Sequence, residues 1–210
     1  MESIRALKEP FPHLIVENMY DERELELIWE ELYFLTKPNK LLTPDKFGGA
    51  HDKNGNYVTK SHAIELDFVY TNRDISNIIT LNRKLFNSEY LELFSKLAPY
   101  CKAATKSNYD FTKVRYYHDG DYYDPHYDIP FNFIACTYFY HTPKKFVGGE
   151  IFFPEYDYEY SCENNSMILF PSYIDHGVKK ISIDSHDYYS CKGRYCVTQF
   201  FGNSHCANEN

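Results

Sequence analysis

In the run Tyr122-Tyr123-Asp124-Pro125-His126-Tyr127-Asp128, an imidazole and a carboxylate stand two residues apart. On an extended strand that spacing sends both side chains off one face, where they can meet one ion. Alone, a His-x-Asp pair is a weak signal, because so short a motif recurs by chance. Further along the chain it gains partners. Phe170-Pro171-Ser172 closes an apolar run, His176-Gly177-Val178 opens the next, and Gly193-Arg194-Tyr195 starts a strand with a cation. Two histidines and one carboxylate on one face of a divalent metal are the donor set of non-haem Fe(II) oxygenases, with coordination positions left open for other ligands. A tight zinc site would more often recruit thiolate. An arginine at a strand start makes a poor buried residue unless it has an anion to bind.

These side chains need a scaffold, and the chain is patterned to build one. From Phe111 onward, short aromatic and β-branched runs recur between turn signals: 112–117, 131–140, 150–153, 167–170, 178–183 and 194–201. Strands at such spacing predict a β-sandwich or barrel. The first half reads differently. His13-Leu14-Ile15-Val16 is a short strand. Asp21 with Glu24 three residues on forms a capping box ahead of Leu25, Ile28, Trp29, Leu32 and Leu35 at helical spacing. Residues 64–70 alternate as a half-wet strand, and helices are predicted over 75–86 and 89–98, the second started by Ser88. Between 37 and 61 lies a long irregular segment containing Gly48, Gly49 and Gly55, of a length that marks a lid or disorder, and its stretch 48–56 is the expected lid. The expected class is α+β: one domain over 1–210, with helical support and a lid loop in 1–110 and a catalytic roll in 111–202.

Composition narrows the partners. Lys and Arg number 22 against 30 Asp and Glu, a net charge of -8, so nothing draws the whole chain to a phosphate backbone. Lys144-Lys145 and Lys179-Lys180 read as solvated turns, and no basic tract laced with aromatics argues for nucleic acid. No run approaches the roughly 20 apolar residues that span a bilayer, and Met1-Glu2-Ser3-Ile4-Arg5 does not read as a signal peptide. A cytoplasmic protein with no membrane partner is expected, with its six cysteines reduced. Aromatic residues make up 18% of the chain, which favours strands.

In five ordered blocks the sequence resembles the Fe(II)- and 2-oxoglutarate-dependent dioxygenases, specifically their prolyl 4-hydroxylase-like branch. The blocks are Val114-Arg115-Tyr116; Gly120 with Tyr123-Asp124-Pro125-His126-Tyr127-Asp128; Gly148-Gly149-Glu150-Ile151; Phe170-Pro171 with His176-Gly177-Val178; and Gly193-Arg194-Tyr195 with Thr198. They cover 111–202, with a fainter match at Pro10-Phe11-Pro12-His13. The resemblance implies a distorted double-stranded β-helix (jelly roll) with N-terminal supporting helices. It makes His126, Asp128 and His176 the iron ligands and catalytic centre, and Arg194 the grip on the distal carboxylate of 2-oxoglutarate, assisted by Tyr116 and Thr198. Tyr138 or Phe139 would line the same pocket, a choice that hangs on one residue of register. Tyr123 packs under the iron.

The implied reaction consumes dioxygen and 2-oxoglutarate, releases succinate and CO2, and hydroxylates a C–H bond. Ascorbate is an accessory that the resemblance admits. The substrate implied is a prolyl residue of a peptide or protein. A free amino acid or other small molecule is the alternative, as is a non-catalytic jelly-roll binding module. Two departures stand out: many relatives carry Lys at the place of Arg194, and the gap from His176 to Arg194 is longer than usual. The excess, residues 184–190, makes His186 a rival to His176 as the distal ligand.

Overall fold

The computed structural model describes residues 2–86, 89–184 and 187–204. The predicted helix start at Ser88 and the rival ligand His186 lie outside the described residues. Among the described residues, twelve strands pair into two antiparallel sheets. The N-terminal hairpin is β1 (Ser3–Leu7) and β2 (His13–Glu17), and β3 (Thr59–Lys60) and β4 (His62–Glu65) follow after α1 (Glu22–Leu35) and α2 (Pro44–Phe47). Then come α3 (Leu66–Val69), α4 (Asn77–Asn82) and α5 (Glu89–Ser95). The C-terminal half supplies β5 (Tyr109–Tyr117), β6 (Tyr122–His126), β7 (Phe133–Phe139), β8 (Ile151–Phe153), β9 (Tyr158–Tyr160), β10 (Ser166–Pro171), β11 (His176–Val178) and β12 (Arg194–Gly202). The larger sheet runs β1-β2-β10-β7-β12-β5-β4 and the smaller β3-β6-β11-β8-β9. Facing antiparallel sheets backed by helices are the expected α+β distorted double-stranded β-helix.

The larger sheet is buried on both sides, which is why its central strands read as near-continuous apolar runs. One core lies between it and the helices and includes Leu14, Val16, Leu32, Phe94, Val114, Tyr116 and Phe139. The other lies between the two sheets and includes Ile15, Tyr117, Tyr123, Ile134, Tyr138, Phe153 and Phe170. Successive residues of one strand therefore serve different cores, following the two-residue period of extended chain.

Local signals explain α1 well. The Glu24 amide donates to the Asp21 carboxylate at 2.8 Å, while the Glu24 carboxylate accepts from the Asp21 amide at 3.0 Å. Its buried Glu31 is tied to the start of α4, accepting from Ser76 Oγ and the Ile78 amide at 2.8 Å each.

Elsewhere the first half departs from expectation. It is not only a helical support, since β1 to β4 all join the sheets. The strand predicted over 64–70 ends at Glu65 and turns into α3. The Asp67 carboxylate there accepts from the Thr112 amide at 2.7 Å and pairs with Arg73 at 3.2 Å, so contacts with β5 override the local alternation. The helix predicted over 75–86 is α4 flanked by 3-10 turns.

Candidate active site

The ladder between β6 and β11 makes His126 and His176 direct cross-strand partners, with ring centroids 4.4 Å apart. Asp128 follows β6, and its amide donates to the Ser172 carbonyl at 3.0 Å, which holds the carboxylate beside both rings. Nε2 of His126 lies 3.8 Å from Asp128 Oδ1, and Nε2 of His176 lies 3.4 Å from Oδ2. One donor atom from each of the three falls within 4.8 Å of the others. On both rings Nδ1 is engaged by a backbone carbonyl, Asp124 O at 3.0 Å and Ile174 O at 2.9 Å. That partner takes the Nδ1 proton in a hydrogen bond and leaves Nε2 of each ring as the atom turned toward the carboxylate, as on metal-binding histidines.

Packing holds this cluster rigid. Tyr123 stacks on His126 at 3.6 Å with 11° between the rings. Phe170 meets His176 edge-on at 4.9 Å. Burial above all, with His176 adding to it, pushes the His126 pKa down to about 3, so this imidazole is neutral and ready to donate a lone pair. Burial alone would raise Asp128. The His176 hydrogen bond and charge, then His126 and Arg115, outweigh it and hold the carboxyl below its ordinary value.

A narrow cavity of about 40 Å³ runs inward from the cluster, lined among others by Tyr117, Cys136, Tyr138, Cys196 and Thr198. Behind it lies Arg194, only 1% exposed, with its guanidinium carbon 4.8 Å from the Tyr117 ring centre and 5.0 Å from that of Tyr138. Nε, Nη1 and Nη2 of Arg194 are all buried without a hydrogen-bond partner, and so is the Tyr138 hydroxyl. A guanidinium stripped of water on every nitrogen is costly unless an anion joins it. Gly149 lets the chain pass close by: its φ is +80°, and a Cβ there would stand 3.5 Å from Arg194 Nε and 2.9 Å from Ile181.

Outside the cluster a wider groove of about 430 Å³ opens to the surface. Gly48, Gly49 and Ala50 form part of its rim, Phe47, Phe68, Phe111, Phe131 and Phe200 give it aromatic walls, and Lys113 and Arg115 supply charge. Arg115, Tyr123, His126, Asp128 and Phe200 belong to both spaces.

One expected cofactor residue lies elsewhere, as does one of a pair of alternatives. Tyr116 faces the helical core, where its hydroxyl accepts from the Gly193 amide at 3.0 Å and its ring packs on Tyr195 at 4.6 Å. Tyr117, the next residue on β5, lines the inner cavity in its stead. Phe139 likewise packs on Tyr20 in the helical core, so the inward residue of that neighbouring pair is Tyr138. Tyr116 is thus a one-residue error of strand parity, while of the alternatives Tyr138 and Phe139 it is Tyr138 that faces inward. Thr198 does reach the cavity, with its hydroxyl 3.5 Å from Cys196 Sγ. Arg115, which sequence reasoning passed over, stands two residues before Tyr117 and so shares its face.

No family model and no curated protein matches the sequence. Solved structures do match. An oxidoreductase of the 2OG-Fe(II) oxygenase family from Burkholderia pseudomallei aligns over 93% of this chain and 87% of its own, with a TM-score of 0.57 and 12% identity. A prolyl-4-hydroxylase from Pseudomonas putida aligns over 97% and 93%, with a TM-score of 0.54 and 12% identity. The viral collagen prolyl hydroxylase of Paramecium Bursaria Chlorella virus-1, in its 2OG complex, aligns over 91% and 96% with a TM-score of 0.52 and 12% identity. The chain has the fold of the 2OG-Fe(II) oxygenases. Shared fold does not by itself carry a substrate, so the chemistry is argued from the site. Among the described residues no helix is long and apolar enough to cross a membrane.

Proposed function

We propose that this protein is an Fe(II)- and 2-oxoglutarate-dependent dioxygenase that hydroxylates a C–H bond, with succinate and CO2 as co-products. The observation that carries this reading is a fully buried guanidinium with three unpartnered nitrogens, one narrow cavity away from two imidazoles and a carboxylate whose donor atoms converge. Neutral imidazole and carboxylate suit Fe(II), and a planar two-pronged guanidinium suits one end of a dicarboxylate. The residues present thus fit both groups. His126, Asp128 and His176 would hold the metal. Arg194, helped by the Tyr138 and Thr198 hydroxyls and by Tyr117, would hold the diacid.

When bound, the metal and the keto acid together supply the activation of dioxygen and the oxidising power. The protein does the rest. Tyr123 and Phe170 keep the imidazoles from turning, and the Asp124 and Ile174 carbonyls keep a proton on each Nδ1. The aromatic walls of the groove offer flat apolar surface to a ring-bearing substrate, which supports a prolyl residue as the group acted on. The segment 48–56, whose first residues rim the groove, serves as its lid.

The test is succinate release from 2-oxoglutarate by the Fe(II)-loaded protein, with and without proline-containing peptides and metabolites. Mass spectrometry would look for a product one oxygen heavier, and limited proteolysis for protection of 48–56 in the full mixture. Metal retained without succinate in any mixture would overturn the reading.

A further inference from the structure

Along β5, Phe111, Lys113, Arg115 and Tyr117 leave the strand on the face toward the smaller sheet, and together they pave the way from the groove to the inner cavity. Two of the four are cations, and they are treated differently. Lys113 is answered by Glu65, with Nζ to Oε1 at 2.8 Å. Arg115 has no such answer. It is 7% exposed, its Nη1 donates to Ser61 Oγ at 3.2 Å, and its guanidinium carbon lies 4.7 Å from the Tyr123 ring centre and 5.1 Å from that of Phe47. It forms no ion pair among the described residues. Asp128 feels its charge but is engaged by the two imidazoles and would be committed to the metal.

A guanidinium nine-tenths buried against aromatic rings, with one neutral hydrogen bond, is stabilised by an anion brought to its free N–H groups. The groove is the open approach to it, and the ring it touches, Tyr123, is the ring stacked on His126. We propose that Arg115 binds a carboxylate of the substrate, so that the substrate class is an acid whose hydroxylated carbon lies close to its carboxylate group. This rests on the oxygenase reading above and narrows it. An uncharged interior stretch of a protein chain would leave Arg115 unanswered, whereas a free amino acid, a peptide C-terminus or a residue beside an acidic side chain would not.

The experiment measures binding under anaerobic conditions by calorimetry, on full-length protein loaded with Fe(II) and 2-oxoglutarate. Three acid and amide pairs separate the sources of the carboxylate: L-proline with L-prolinamide, glycyl-L-proline with its amide, and an end-blocked proline peptide carrying Glu or Gln beside the proline. At least one acid should bind about tenfold or more tighter than its neutral twin, the scale of a hydrogen bond to a charged group. Arg115→Gln should bring that ratio to about one, and Arg115→Lys should keep part of it. Equal binding within all three pairs overturns the proposal, as does a ratio that survives Arg115→Gln, or failure of every probe on protein that binds 2-oxoglutarate. The wild-type ratios decide the matter even where a variant does not fold. Absence of 2-oxoglutarate binding in the wild type removes the oxygenase reading itself, and this proposal with it.

Discussion

The two faces of the larger sheet are built from the same strands and yet carry opposite chemistry. Toward the helices, Val114, Tyr116, Phe139, Tyr195 and Val197 form a core in which the Tyr116 hydroxyl is satisfied by the Gly193 amide. Toward the smaller sheet, Arg115, Tyr138 and Arg194 bring buried polar groups, several with no partner at all. Closing a hydrogen bond inside a core is an investment in stability. Leaving one open is a readiness to bind.

Breaking the unsatisfied face should separate binding from stability. Arg194→Met is expected to weaken 2-oxoglutarate binding by about 2–5 kcal/mol, the cost of truncating one member of a buried charge pair. The same change should make the ligand-free protein more stable, by about 1–4 kcal/mol, because it replaces a buried unpaired charge with apolar bulk. Titration calorimetry and urea unfolding check the two halves. Lower ligand-free stability in the variant would show that Arg194 has an internal partner after all.

Acid sharpens the contrast next. The folded pKa of His126, about 3, lies below the ordinary 6.5. Between those values the unfolded chain binds more protons than the native one, so this residue's contribution is intact above pH 6.5 and is lost as pH falls. The slope is about 1.4 kcal/mol per pH unit for one such group. In chelator, His126→Gln should therefore lose less stability than the wild type between pH 7 and pH 5. Taking the difference between the two proteins cancels Asp121, which burial raises to about 6 and which acts in the opposite sense. Parallel stability curves for the two would refute the assignment.

The smallest effect belongs to the satisfied face. Tyr116→Phe should cost about 1 kcal/mol of stability, the worth of its hydrogen bond, with no change in 2-oxoglutarate affinity. Tyr117→Phe should do the reverse. Thermal melts and calorimetry on the pair would expose any error in the face assigned to each.

What the sequence made legible follows from how local each signal was. The capping box of α1 lies within four residues and reads directly. His126 and Asp128 share a face at a spacing of two, and His176 follows a recognisable apolar strand. Tyr116 was misplaced, and the choice between Tyr138 and Phe139 stayed open, because a run such as Val114-Arg115-Tyr116-Tyr117 is buried on both sides, so no wet face reveals its parity. Arg115 stayed hidden for the same reason: its meaning depends on which sheet it looks toward. The turn of residues 66–69 into α3 was out of reach, since the Thr112 amide that holds Asp67 lies 45 residues away.

The pairing of His126 with His176 across one rung of the β6–β11 ladder has a consequence of its own. Rung spacing is set by main-chain hydrogen bonds, which nearly any residue but proline can make, so the ladder acts as a gauge that holds its span as side chains drift. Residues away from the rings can change while the span between them holds, although Gly177, where a Cβ would stand 2.7 Å from Phe152, cannot. A shared architecture at 12% identity is what such a gauge permits.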